Sequence, residues 1–119
     1  MARTLTFTGE MRWPLEDGQQ AAKLPLAASL DYTEALYIEN VYPAPVADEA
    51  IALPMASAKF LLIEAGTEDV DVKLNGNANA ITIKADVGFV LIWNEDGAVT
   101  ALTITVPTAP ATFRCWAFA

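Results

Sequence analysis

The chain contains no histidine. That absence removes the Ser-His-Asp and Cys-His catalytic arrangements and every zinc site built on imidazole. A single cysteine, Cys115, leaves no internal disulfide and no thiolate cluster, and its plain reading is a small buried apolar side chain. Charge is scarce as well: 18% of the 119 residues are Asp, Glu, Lys or Arg, against roughly 25% in an ordinary soluble domain. Cations are the scarcer sign, 7 against 15 acids for a net charge of −8, and Arg3, Arg12, Lys23, Lys59, Lys73, Lys84 and Arg114 are scattered. Phosphate neutralisation needs clustered cations, so direct nucleic-acid binding is not expected. No apolar run approaches the roughly 20 residues of a membrane-spanning helix, and the start MARTLTFTGE carries no continuous apolar leader, so neither membrane insertion nor export is expected. A G-x-S-x-G elbow, a phosphate-cradling glycine loop and a dinucleotide fingerprint are also missing, and Gly76-Asn77 has a turn explanation.

What the chain does have is apolar surface. Hydrophobic residues make up 54% of it, more than one small core readily hides, and part of that excess reads as interface between subunits. The apolar positions alternate. Leu5, Phe7, Met11 and Trp13 share one parity with Gly9, while Thr4, Thr6, Thr8, Glu10 and Arg12 hold the other, which is a half-buried strand with Trp13 on its core side. Leu24, Leu26, Ala28 and Leu30 alternate in the same way, with Pro25 marking an edge strand. Further strands are expected at Ala35 to Val41, at Ile51 to Leu53, and at KFLLIE, a continuous apolar run suited to a central strand covered on both sides. Val70, Val72 and Leu74 alternate, Asn75-Gly76-Asn77 turns the chain, and Ile81-Thr82-Ile83 alternates again, a hairpin with more than a two-residue loop. Phe89 to Trp93, Thr100 to Val106 and Ala111 to Phe118 complete the set, the last with Phe113 and Cys115 on one face and Arg114, Trp116 and Phe118 on the other. The expected fold is an antiparallel β-sandwich, jelly-roll-like, of about 8 to 10 short strands in one domain over residues 1–119.

The acids and aromatics each invite a site. Glu16-Asp17 and the group Glu64, Glu68, Asp69 and Asp71 offer oxygen ligands for calcium, but neither has a ligand spacing, and solvated charge at turns explains them. No metal, cofactor or catalytic residue is expected; a paired-carboxylate hydrolase is the enzyme alternative, and spacing identifies no pair. Trp13, Trp93 and Trp116 with Tyr32, Tyr37 and Tyr42 are the raw material of a sugar-stacking platform, so a glycan stands as an alternative partner beside core and subunit packing.

The order TLTFTGEMRW, LPLAASL, KFLLIEAG, VDVKLNG, AITIKADVGFVLIWN and ATFRCWAFA resembles small virion structural proteins of tailed bacteriophages over nearly the whole chain. The resemblance implies a many-copy particle component made in the host cytoplasm. It would be a capsid decoration (cement) protein or a tail accessory, homo-oligomeric and held to other virion proteins by apolar burial. On that reading the contact residues are Trp116 and Phe118 near the chain end, with Tyr42 and Pro43 in the connection. The alternatives are a carbohydrate- or host-receptor-binding module and an enzyme accessory domain.

Overall fold

Alternation at the start of the chain produces a ribbon. In the computed structural model, which describes residues 3–13, 22–94 and 99–119, β1 (Arg3–Trp13) pairs antiparallel along its whole length with β2 (Ala22–Tyr32). Leu5 lies opposite Leu30 and Phe7 opposite Ala28 on one face, while Thr4, Thr6 and Thr8 oppose Asp31, Ser29 and Ala27 on the other. The Thr4 hydroxyl donates to Asp31 at 2.8 Å. Among the described residues each strand pairs only with the other, so Pro25, opposite Glu10, stands on an edge strand, where a proline is tolerated. The calcium candidates Glu16 and Asp17 and the side chain of Trp13 lie outside the described residues. The chain forms two compact units that divide after Tyr32.

Residues 33–119 form the second unit, whose described residues contain eight strands: β3 (Ala35–Tyr42), β4 (Val46–Ile51), β5 (Phe60–Ala65), β6 (Val70–Leu74), β7 (Ile81–Ile83), β8 (Phe89–Trp93), β9 (Leu102–Val106) and β10 (Ala111–Phe118). They make two four-stranded antiparallel sheets, in the orders β3-β10-β5-β8 and β4-β9-β6-β7. The chain passes repeatedly from one sheet to the other, and this interleaving is the order of a jelly roll. The core between the sheets follows from period-two alternation: Leu61 and Ile63, Val70 and Val72, Leu102, Ile104 and Val106, and Phe113, Cys115 and Ala117 are all buried.

Strand β5 is central as expected, flanked by β10 and β8. The hairpin β6–β7 has a loop of more than two residues, with Asn75 and Gly76 at φ 55° and 72°. The Asn75 side-chain oxygen accepts the Thr100 N–H at 2.7 Å, which fixes this turn to the chain entering β9. One strand is displaced: the extended segment expected at Ile51 to Leu53 lies at Val46–Ile51 instead. The alternation there is masked by a bulge between Val46 and Glu49, where Asp48 takes φ 47° and its N–H bonds the Thr105 hydroxyl at 2.9 Å.

Candidate functional site

The two sheets share one core and differ on their backs. On the back of β4-β9-β6-β7 stand Asp48, Thr103, Thr105, Asp71, Lys73 and Thr82, all short or charged. They bond one another: Lys73 meets Asp48 at 2.9 Å, and the Thr82 hydroxyl donates to Asp71 at 2.6 Å. Just beyond, Lys84 meets Asp69 at 2.9 Å, and Asp69 also accepts the Ala85 N–H at 2.8 Å. The Asp48 carboxyl is held below its ordinary value chiefly by the Lys73 hydrogen bond, and that of Asp69 chiefly by Lys84. This surface is made for water.

On the back of β3-β10-β5-β8 the register builds something else. One row runs Ala35, Phe118, Phe60, Trp93, and the next runs Tyr37, Trp116, Leu62, Leu91. Rings meet within these rows: Tyr37 and Trp116 have centroids 5.1 Å apart, Phe60 lies edge-on to Trp93 at 5.5 Å and to Phe118 at 5.6 Å. A third row, Glu39, Arg114, Glu64, Phe89, ends the apolar field with charge, Arg114 standing 3.6 Å from Glu39. Tyr37 is 53% exposed and Phe89 64%, while Trp93, Trp116 and Phe118 are half-buried. Phe60, among these rings, is buried, and all of them lie on the far side of the sheet from the sandwich core.

Of the four contact residues expected from sequence, Trp116 and Phe118 therefore stand on this back, and Pro43 is exposed in the β3–β4 connection. Tyr42 does not serve as a surface contact: its ring belongs to the sandwich core and is 8% exposed. The reason is parity, since Tyr42 is two residues on from Asn40 and four from Ile38, the inward set of β3. Burial raises its phenol pKa, and the hydroxyl engages the side chains of Asn40 and Glu49 in a groove of about 310 Å³ between β3 and β4.

Sequence reasoning missed Leu62 and Leu91 on this back, and did not single out Phe60, Phe89 or Val41. The signal was present. KFLLIE and FVLIW are continuous apolar runs, and a strand apolar at both parities has a second face to cover.

The acids Glu64, Asp69 and Asp71 are dispersed: Glu64 is on β5, Asp71 on β6, and Asp69 precedes β6 with its oxygens engaged. Among the described residues no three His, Cys, Asp or Glu side chains come together as metal ligands. A shallow cavity of about 210 Å³ is lined by Glu64, Ala65, Gly66, Asp86 and Arg114, beside the charged row. Cys115 is fully buried and its thiol is pushed up to about 12 by that burial, so it is not a ready nucleophile. Among the described residues no helix is long and apolar enough to cross a membrane. Compared with protein families, with characterised proteins and with solved structures, the chain matches none.

Proposed function

We propose that this protein is a structural subunit of an assembled particle, a capsid decoration (cement) protein of a phage, that joins neighbouring subunits by covering apolar surface. The observation that carries the reading is the contrast between the two backs, one polar and internally bonded, the other a ring-on-ring field of Tyr37, Trp116, Phe60, Phe118 and Trp93. Phe60 is already buried and Trp93, Trp116 and Phe118 are half-buried, so the gain from covering the field comes from their remaining exposed area and from Tyr37, at about 25 cal/mol per Å² of apolar surface removed from water. The jelly-roll order agrees in kind, because that architecture recurs in viral capsids, as it does in lectins; fold alone carries no function. The strand order that resembles small virion proteins points the same way. A net charge of −8 keeps free subunits dispersed before assembly.

Mass spectrometry of purified particles from the source tests the role: the chain at high copy number supports it, and its absence ends it. The surface is tested by Trp116→Ser, which should lower binding to particles that lack the protein. Deleting Trp116 to Ala119 is a poorer test, because Trp116 pairs with both Tyr37 and Leu62, and the Ala119 carbonyl accepts the N–H groups of Thr33 and Glu34 at 2.8 and 3.0 Å.

A second reading rests on the Tyr37–Trp116 pair, tilted by 39° and partly open, which resembles a sugar-stacking platform in its chemistry. A glycan array decides between them. Reproducible binding that Trp116→Ala or Trp93→Ala removes, with folding intact, replaces adhesion by carbohydrate recognition.

A further inference from the structure

The four edges of the sandwich are not alike. Strand β7 is three residues long, β8 is five, and β4 is interrupted by its bulge at Asp48, whose carboxylate is tied to Lys73. Short strands and bulges are how sheets discourage further pairing. Strand β3 has neither device: its eight residues stay in unbroken register with β10, contain no proline, and among the described residues pair with no strand on the other side.

Which backbone groups of β3 face that open side follows from one pair. Glu34 and Ala119 exchange both hydrogen bonds, at 3.0 and 2.9 Å. In an antiparallel ladder this alternates, so Leu36, Ile38, Asn40 and Tyr42 turn their N–H and C=O groups to β10. Ala35, Tyr37, Glu39 and Val41 turn theirs away from it, and all four residues are exposed.

We propose that this edge pairs with the same edge of a second copy, β3 to β3 about a two-fold axis at Ile38, joining two sheets into one that continues across both chains. The partner is a second copy because the edge is self-complementary in one register. With Ile38 opposite Ile38 of the other copy, Ala35 meets Val41 and Tyr37 meets Glu39, in both directions. Every outward-facing residue then belongs to a pair that exchanges two bonds. Sliding by two residues one way places Glu39 opposite Glu39, a like-charge contact, and sets Ala35 against Pro43, which has no N–H to give. Sliding the other way places Val41 against Thr33, whose N–H is already donated to Ala119. The favoured register also places Tyr37 beside the other copy's Glu39, the partner type its hydroxyl already meets at 3.3 Å within one chain. The axis lies at the end of the aromatic rows, so pairing makes the two adhesive backs one surface. The inference depends on the assembly reading only in giving that joined surface a use.

Amide hydrogen exchange on the intact chain, read residue by residue over a dilution series, is the test. At a concentration about a hundred times the dissociation constant, the amides of Ala35, Tyr37, Glu39 and Val41 should exchange roughly tenfold more slowly than in the dilute chain. Those of Leu36, Ile38 and Asn40 should be protected throughout. Glu39→Pro removes an outward N–H without touching the β10 ladder and should sediment as a monomer where Glu39→Ala still pairs. Concentration-independent exchange at the four outward amides overturns the proposal, as does a chain that remains monomeric. If those amides stay open while Trp116→Ser abolishes association, the aromatic back is the contact and the edge is not. If the edge pairs but particles lack the protein, the dimer stands and the particle role falls.

Discussion

Phe113 and Trp116 sit three residues apart on one strand and face opposite ways. Phe113 is fully buried between the sheets, whereas Trp116 stands half-buried on a back that carries other rings. The companion sheet shows what a back looks like when water is its final environment: threonines, aspartates and lysines bonded to each other. The same core has thus been given two unlike outer surfaces. Folding alone needs only the inner faces to be apolar, so the rings of Tyr37, Trp116 and Trp93 require a reason outside the fold of one sheet on another.

That comparison breaks most sharply at the core. Phe113→Ala should destabilise the sandwich by about 3 to 5 kcal/mol, the cost of emptying a buried aromatic site, seen as a lower urea midpoint. Next in size, Trp116→Lys should weaken self-association or particle binding at least about tenfold, which is about 1.4 kcal/mol, and unfold the chain less than Phe113→Ala does. Thr103→Lys places the same charge on the polar back and should leave association unchanged in sedimentation or binding. Equal loss from both lysines would mean that charge alone, not the surface it lands on, governs contact.

The architecture was legible because alternation is a local signal. Nearly all strands, their inward residues and the outward parity of Trp116 and Phe118 follow from it. Pairing order is set by contacts far apart in sequence, such as Val46 with Val106, and no local pattern encodes them. The place of β4 is hidden for a related reason, since a bulge at Asp48 shifts parity by tertiary bonding to Thr105. Beside Pro43, Tyr42 reads as a surface residue in the sequence, yet the strand runs one residue further than Val41 and carries it inward. The aromatic back was half legible. Reading KFLLIE as covered twice implied a second apolar face, and only the register shows that β3, β10, β5 and β8 align those faces into rows.

A smaller effect concerns the salt dependence of association. Copies that each carry −8 repel, and the proposed contact surfaces are mainly apolar or backbone. Raising ionic strength screens that repulsion. Association should therefore tighten by about a few-fold between low and physiological salt, read by sedimentation, whereas an interface built on opposite charges would loosen.

The smallest effect belongs to the polar back and runs with pH. Asp48 and Asp69 have carboxyl groups lowered from 3.8 by their lysine partners, so the folded chain holds them ionised more firmly than the unfolded chain does. Their contribution is complete above that ordinary value and disappears as pH falls through the lowered folded values. Lys84 runs the other way: raised from 10.5 by Asp69, it contributes fully below that value and loses its effect as pH rises through the folded one. Both pairs are exposed, so solvent screening keeps each effect slight. Asp48→Asn with Asp69→Asn should flatten the acid limb of the urea midpoint against pH while leaving association at pH 7 unaltered. A double variant that instead loses association would place the contact on the polar back, and the contrast between the two surfaces would then have been read the wrong way round.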